Sequence, residues 1–262
     1  MLLWESLLIA LSMYSAIPVP QVDWRENNMR WSLGFLPVVG LFATGLTGLW
    51  SWLALSAEAN PVFFGAVAVL LPILLAGGFH MDGFLDAADG IFSRRDRERR
   101  LQIMKDPHCG PFAVTCCGGL LLMELGAWCQ LISQESLLPA ACSVFLLSRS
   151  LAVTAGSRFP YAASSTLGAL FAGRAAKGVF ALGIIETSLS LAILIAAGWI
   201  WGGMSGLLIT TAAGLGVLVL FLWYRRYTIS QFGGVTGDLL GFWIELSQMC
   251  LLFLLAFGSV FI

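Results

Sequence analysis

Apolar stretches about twenty residues long follow one another along most of this chain, with short polar segments between them. About 20 mostly apolar residues are what an α-helix needs to cross the hydrocarbon core of a bilayer. The bilayer offers the backbone no water to bond, so such stretches form helices rather than open sheets. The sequence therefore predicts an all-α, polytopic membrane helix bundle. Its predicted spans are residues 33–54, 62–81, 111–132, 137–156, 179–200, 204–223 and 239–258, seven in all.

The composition leaves no room for a separate soluble domain. Hydrophobic residues make up 58% and charged residues 11% of the chain, whereas a soluble domain carries about 25% charged residues. We predict one integral membrane domain over residues 1–262, surrounded by the lipid bilayer and without a nucleic acid partner. Residues 1–20 would add an interfacial or re-entrant helix, because the prolines of IPVP (residues 17–20) stop a helix that covers residues 2–16.

Basic residues alternate between the connecting segments. Thirteen of the fourteen Lys and Arg residues fall in one set of segments, and Arg149 lies within a predicted span. Since basic residues are enriched in cytoplasmic loops, this set is predicted to face the cytoplasm. The basic segments are 21–31, 82–110, 157–178 and 224–238, and the segments without Lys or Arg lie near 55–61, 133–136 and 201–203.

The segment GGFHMDGFLDAADG (77–90) places Asp82, Asp86 and Asp89 directly after an apolar run. The spacing i, i+4, i+7 puts the three carboxylates within about 60° on one face of a continuing helix. Like charges about 6 Å apart repel by roughly 3 kcal/mol at an effective dielectric near 20, so the stripe needs a cation. A following arginine could supply it, or a divalent ion, for which oxygen-only ligands favour Mg²⁺ over zinc. A solvated helix end is the plain alternative.

The next segment, IFSRRDRERRLQIMKD (91–106), is strongly basic. Arg94 with Glu98 and Asp96 with Arg100 stand i, i+4, which predicts a cytoplasmic helix with ion pairs. The run is either a solvated face, a lipid-phosphate anchor, or a clamp for substrate phosphates within a catalytic segment at 82–110. The candidate substrate-binding residues are Arg94, Arg95, Lys105 and Asp106, with Arg174 and Lys177 from the segment GRAAKG (173–178).

The segment GGVTGDLLG (233–241) opens the last predicted span. Gly233, Gly237 and Gly241 are four residues apart, the spacing that lets helix backbones approach closely. Asp238 lies at the cytoplasmic end of this span, so we expect it to join the first acidic cluster. Its role there is left open between metal ligand, general base and packing cap.

Four further titratable residues lie in or next to the spans. His80 stands beside the acidic stripe, and it is either a candidate catalytic residue or a hydrogen-bonded packing residue. Glu245 shares a helix face with Asp238 about two turns deeper, where we expect it to pair with a polar partner. Glu124 and Glu186 are predicted to be isolated structural or pathway residues.

Three blocks, GGFHMDGFLDAADGIFS, RRDRERRLQIMKD and GGVTGDLLGFWIEL, together resemble the cobalamin-5'-phosphate synthase family, also called adenosylcobinamide-GDP ribazoletransferase. AIPVP and LPVVGLFATG near the start also match, so the resemblance covers essentially the whole chain. One departure is PHCG (107–110), where the family usually continues through polar residues to glycine. This departure removes any expectation for His108.

The resemblance implies a multi-pass enzyme of the bacterial cytoplasmic (inner) membrane with its active site facing the cytoplasm. It would join adenosylcobinamide-GDP to α-ribazole or α-ribazole 5'-phosphate, release GMP and require Mg²⁺, late in cobalamin biosynthesis. Asp82, Asp86, Asp89 and Asp238 would hold the metal against the substrate pyrophosphate, and His80 completes the candidate catalytic residues. Contact with other enzymes of nucleotide-loop assembly and pairing of two copies of the chain are left open.

Two other functions share some of these features. A CDP-alcohol phosphotransferase also uses an aspartate-rich membrane helix, but its longer pattern begins D-G-x-x-A-R, which Asp82-Gly83-Phe84-Leu85-Asp86 does not follow. A cation-coupled transporter also places acids in its spans, but it usually shows inverted repeats with sites near the midplane. Here the acids cluster at one rim, and the HMDG block is not repeated.

Overall fold

The computed structural model describes residues 2–29, 31–162 and 178–261, which are helical apart from turns and short connections. This confirms the predicted all-α, polytopic bundle. Single 3₁₀ turns precede α3 and α8. The helices are α1 (Leu2–Tyr14), α2 (Glu26–Met29), α3 (Leu36–Ser56), α4 (Pro61–Leu75), α5 (Phe79–Phe92), α6 (Arg97–Ile103), α7 (Pro111–Ile132), α8 (Leu138–Arg158), α9 (Val179–Phe232) and α10 (Gly237–Ser259).

Five of these helices, α3, α7, α8, α9 and α10, are long and apolar enough to cross a membrane. A sixth crossing results if α4 and α5 count as one broken span. Helix α9 has 54 residues, which at 1.5 Å per residue is far longer than a bilayer core of about 30 Å. The predicted seven spans therefore correspond to these six units only if α9 is folded in two.

Helix α9 does reverse direction, at Gly203, where φ is 58° and ψ is −143°. A Cβ atom on Gly198 would lie 2.5 Å from the side chain of Thr210, and one on Gly214 would lie 2.5 Å from Leu191. The limbs α9a (179–202) and α9b (204–232) thus pack against each other as an antiparallel hairpin. They correspond to the predicted spans at 179–200 and 204–223.

The predicted span 62–81 is wrong in one respect, because it is not a single helix. Helix α4 ends at Leu75 and α5 begins at Phe79, with 95° between their axes. Gly77 and Gly78 form the bend, with φ of 60° and 77°, a left-handed conformation that glycine adopts without a steric penalty. The bend turns α5 and its acids away from the direction of α4.

The connections gather at two ends of the bundle, as the charge pattern predicted. At the basic end, Arg97 donates to the carbonyl oxygen of Ser230 at 3.1 Å, and the amide of Val235 donates to that of Pro160 at 2.8 Å. At the opposite end, Gln130 Nε2 donates to Ser259 Oγ at 3.2 Å. The assignment of the basic end to the cytoplasm stays a prediction.

Helix α8 is the centre of the bundle and is buried along nearly its whole length. It packs against α3, α9 and α10. Helix α1 confirms the predicted N-terminal helix, and its 13 residues are too few for a span of about 20 residues. The amide of Ala16, just after α1, donates to the carbonyl oxygen of Leu75 at 2.8 Å and so ties α1 to the end of α4.

Candidate active site

Helix α5 has an acidic face and a buried face. It runs unbroken from Phe79 to Phe92, so the predicted stripe of Asp82, Asp86 and Asp89 forms on one side of it. Asp82 is exposed, whereas Asp86 and Asp89 are half-buried. The buried side of α5, which carries Gly83, packs against α10 beside this acidic face.

Helices α5 and α10 cross in direct backbone contact. A Cβ atom on Gly83 would lie 3.0 Å from both the Cα atom and the carbonyl oxygen of Asp238. A Cβ atom on Gly241 would lie 2.9 Å from the carbonyl oxygen of His80 and 3.2 Å from the Cα atom of Gly83. Both positions therefore need glycine. The expected close approach beside Asp238 is confirmed, with Gly83 and Gly241 as its contact residues.

Gly233 plays a different part from the one predicted. It is not on the last helix but ends α9 with a φ of 81°, the left-handed cap conformation that glycine favours. The prediction that it extends the packing spacing of α10 is therefore wrong. The reason is that α10 begins only at Gly237.

The first turn of α10 is held by three contacts. Thr236 caps the helix, since its Oγ1 accepts from the amide of Leu239 at 3.1 Å. The hydroxyl of the buried Tyr224, on α9b, donates to the carbonyl oxygen of Leu239 at 2.6 Å. Val235 pairs with Tyr161 in a short parallel β-bridge. These contacts fix Asp238 beside α5.

The four acids form one electrostatic cluster. Asp82, Asp238 and Asp89 all act on the carboxyl of Asp86, and Asp82 acts on that of Asp238. Lys105 is close enough to Asp238 to oppose this repulsion. Four negative groups at one rim repel one another, so a cation stabilises the arrangement.

The donor set fits Mg²⁺ better than a metal that needs a closed protein cage. Within the described residues, no three His, Cys, Asp or Glu side chains lie close enough together to form a complete ligand group. Mg²⁺ is usually held by one or two carboxylates plus waters and substrate phosphates. An exposed Asp82 beside half-buried Asp86 and Asp238 offers that kind of open, oxygen-only site.

Asp89 has a further role that the sequence pattern did not indicate. Its carboxylate accepts hydrogen bonds from the amides of Gly110 at 2.6 Å and Ala113 at 2.9 Å. These amides belong to the start of α7, whose first N–H groups have no partner within the helix. Asp89 therefore caps α7 and ties it to α5, while its remaining lone pairs stay free for a cation.

The basic segment forms a shorter helix than predicted. Helix α6 starts at Arg97, because Asp96 caps it by accepting from the amide of Arg99 at 2.9 Å. Arg94, with a φ of 54°, and Arg95 lie in the exposed turn before it. Among the described residues, neither the Arg94–Glu98 nor the Asp96–Arg100 ion pair forms, so that prediction is wrong.

Helix α6 instead docks on the end of α9. Arg100 Nη1 donates to Gln231 Oε1 at 2.6 Å, and its guanidinium lies 5.9 Å from the ring centre of Phe232. Met104 packs against Gly90, since a Cβ atom there would lie 2.6 Å from Met104 Cγ. These contacts hold α6 against the end of α9 and against α5, and they engage Arg97 and Arg100 within the protein.

The other predicted substrate-binding residues differ in position. Lys105 is exposed, and its charge acts on the carboxyl of Asp238. Asp106 accepts from the backbone amide of His108 at 3.0 Å and contacts its ring Nδ1 at 2.8 Å. The backbone hydrogen bond, followed by the side-chain bond, lowers the pKa of Asp106 below its usual value. Arg174 and Lys177 lie outside the described residues.

His80 is buried beneath the acidic cluster. It is 2% exposed, and neither ring nitrogen has a hydrogen-bond partner within the described part of the chain. Its ring lines a narrow cavity that Tyr14, on α1, and Tyr161 also line. His80 is therefore buried, as expected of a packing histidine, but the expected hydrogen bonds do not form among the described residues. The predicted catalytic role stays a prediction.

A second polar group lies deeper, where sequence reasoning saw isolated residues. Glu124 is not isolated, because its Oε1 accepts from Gln248 Nε2 at 3.0 Å. Gln248 Oε1 in turn accepts from Arg149 Nη1 at 3.2 Å. Arg149 is also within reach of the charge of Glu245. The signal in the sequence was an arginine and two glutamates within apolar spans. It could not show the pairing, because the partners lie on different helices.

Comparison with known proteins agrees with the resemblance seen in the motifs. Residues 6–256 match the family described as cobalamin-5-phosphate synthase. Proteins named adenosylcobinamide-GDP ribazoletransferase are similar along nearly the whole chain. One from Lachnoclostridium phytofermentans is 34% identical over 92% of this chain and 88% of its own length. Another, from Pseudomonas entomophila, is 34% identical over 93% and 95%.

A third relative of the same name, from Geobacillus thermodenitrificans, is 31% identical over 93% of this chain and 92% of its own length. No solved structure matches the chain. The family match includes both acidic blocks and the glycine crossing between them. The chain belongs to the cobalamin-5-phosphate synthase family.

Proposed function

We propose that this protein joins adenosylcobinamide-GDP to α-ribazole or α-ribazole 5'-phosphate and releases GMP. Membership of the family and the names of its relatives support this reaction. The structural observation that carries the proposal is the contact of Gly83 with Asp238. This contact unites two acidic motifs from opposite halves of the sequence into one site at the end of a membrane bundle.

One or two carboxylates at a time from Asp82, Asp86 and Asp89 would hold Mg²⁺ together with substrate phosphates. Asp89 would do so through the lone pairs that the α7 amides leave free. When bound, the ion neutralises charge on the substrate pyrophosphate and on the departing GMP. The open rim leaves room for phosphate oxygens to complete its coordination. The requirement for Mg²⁺ rests on the chemistry of this donor set.

In the reaction, a ribazole hydroxyl oxygen bonds to the phosphorus atom that carries the corrinoid. The bond from this phosphorus to the GMP oxygen breaks, and the hydroxyl proton goes to a protein base. A carboxylate oxygen of Asp238 is our choice for that base over His80, because Asp238 lies within the acidic rim. Such a base typically contributes about 10²–10⁴-fold to the rate. Its rival role is that of a metal ligand.

The cations around the rim bind the phosphates. Lys105 is the best placed, since its charge already acts on the carboxyl of Asp238. Arg94 and Arg95 are exposed in the turn beside α5 and are free to move toward a substrate. Arg174 and Lys177, outside the described residues, stay candidates from the sequence alone. The positive-inside rule supports a cytoplasmic location for these basic loops and for the proposed site.

Turnover of defined substrates by the purified protein in detergent tests the proposal. We expect GMP and the corrinoid–ribazole product in equal amounts, only with Mg²⁺ present and without any ion gradient. Chelation should stop the reaction, and added Mg²⁺ should restore it. Failure to release GMP from adenosylcobinamide-GDP with either form of ribazole would contradict the assignment. Full activity in chelator would contradict the metal site alone.

A further inference from the structure

A buried polar bridge links three helices below the acidic site. Arg149, on α8, donates from Nη1 to Gln248 Oε1 at 3.2 Å. Gln248, on α10, donates from Nε2 to Glu124 Oε1, on α7, at 3.0 Å. All three side chains are about 1% exposed. The amide of Gln248 thus stands between a guanidinium and a carboxylate and joins α7, α8 and α10.

The surroundings hold Arg149 in one position. Its Nη1 also donates to Ser148 Oγ at 3.1 Å, and its guanidinium lies 5.7 Å from the ring centre of Phe145. Gly40, on α3, leaves space for its stem, because a Cβ atom there would lie 2.9 Å from Arg149 Cδ. Ionisable side chains in membrane spans are costly and are kept mainly for function.

The bridge and the acidic site share one face of α10. Asp238, Gly241, Glu245 and Gln248 are spaced i, i+3, i+7 and i+10, which places them within about 80° around the helix. Gly241 contacts the backbone of His80, and the charge of Arg149 reaches His80. Along α10, the contact with His80 therefore lies between Asp238 and the bridge residue Gln248.

We infer that the Arg149–Gln248–Glu124 bridge fixes the rotation of α10 and so positions Asp238 and His80 for the transfer reaction. A rotation of α10 would carry Asp238 away from Asp86 and bring side chains into the Gly83–Gly241 contact. The three bridge residues are positioning residues, since they lie below the rim and touch no reacting group. This inference rests on the proposed function.

The test compares Gln248→Met with Gln130→Met. Both glutamines bond across α7 and α10, but Gln130 does so at the far end of the bundle, to Ser259. We expect Gln248→Met to lower kcat at least about tenfold, the smaller end of the loss seen on removing outer-shell partners. The KM values for both substrates should stay within about threefold. Gln130→Met should keep wild-type kcat.

Amide hydrogen exchange over residues 237–242, without substrate, separates positioning from general stability. We expect faster exchange there in Gln248→Met than in Gln130→Met, at matched melting temperature. If Gln248→Met does not fold, Gln248→Asn keeps an amide but shortens its reach, and the same result is expected. Equal kcat and equal exchange in the two variants would overturn the inference. Inactive wild-type protein would contradict the proposed function and leave the exchange comparison to decide the positioning.

Discussion

At the residue scale, Asp86 is the point where the charges of the site converge. It lies on the acidic face of α5, half-buried, and the carboxyls of Asp82, Asp238 and Asp89 all act on it. A carboxylate in that position is stabilised by a bound cation and destabilised without one. Asp86 is therefore the residue of the cluster at which the proposed cation would relieve the most repulsion.

We predict that Asp86→Asn and Asp82→Asn each lower kcat by at least about 100-fold, because each removes a carboxylate charge that, in the proposed function, helps to hold the Mg²⁺ that neutralises the reacting pyrophosphate. Membrane insertion and melting temperature should not change, since the amide adds no bulk. Asp23→Asn is the control, an exposed aspartate whose ion pair among the described residues is with Arg25. Rates of GMP release near wild type in both site variants would contradict the metal site.

Asp89 should behave differently, because it also caps α7. We predict that Asp89→Ala lowers the melting temperature by a few degrees, as expected from a capping loss of about 1 kcal/mol. Asp89→Asn keeps one oxygen acceptor and should lose less. Thermal unfolding followed by a reporter dye measures both. Equal melting temperatures for Asp89→Ala and Asp86→Asn would show that the bonds to Gly110 and Ala113 carry no stability.

At the element scale, the crossing of α5 and α10 brings two acidic motifs together. The approach is close because both helices present glycine at the contact. Membrane helices commonly associate through small residues at the contact, which let the two backbones pack closely. The positions of the acidic side chains therefore depend on two glycines that carry no functional group.

We predict that Gly83→Ala lowers kcat at least about tenfold, because its Cβ atom would press on the backbone of Asp238 and displace it. Gly118→Ala, on α7, is the matched control, since a Cβ atom there has no neighbour within 4 Å. Steady-state rates of both variants, at matched expression, decide the point. Should Gly83→Ala match Gly118→Ala, the close contact would have no catalytic importance.

Some features of these helices could be predicted from the sequence, and others could not. The acidic face of α5 was predictable, because i, i+4, i+7 spacing depends only on helix geometry. The bend at Gly77–Gly78 was not, because hydropathy continues across it. The Asp89 cap was missed since it comes from another helix rather than from the residue before α7. Likewise Gln248 meets Arg149 and Glu124 only after three helices have packed.

At the scale of the whole molecule, the fold separates a basic end from an end poor in charge. The predicted grouping of loops depended on counting Lys and Arg, and the contacts between loops confirm it. The order of the spans could also be predicted, because the length and apolarity of a span are properties of the local sequence. The hairpin at Gly203 is an example, because its two limbs correspond to the predicted spans 179–200 and 204–223.

Accessibility labelling tests the orientation of this molecule. In a cysteine-free background, we predict that a cysteine replacing Arg95 or Arg226 reacts only after the cytoplasmic side is exposed. A cysteine replacing Glu58, which is exposed at the opposite end, should react with a membrane-impermeant reagent in intact cells. Labelling of position 95 or 226 from outside would reverse the topology and remove the cytoplasmic site.

The central claim is that the two acidic motifs act as one site, and a double-mutant comparison of Asp86→Asn and Asp238→Asn tests it most directly. GMP release would be measured with guanosine-labelled substrate at saturating Mg²⁺ for each single variant and for the pair. Residues that act as a unit show losses far from additive. We predict that each single change costs at least about 100-fold and that the double variant stays within about tenfold of the slower single variant. If instead the two losses multiply, Asp86 and Asp238 act independently and the single site at the crossing of α5 and α10 is contradicted.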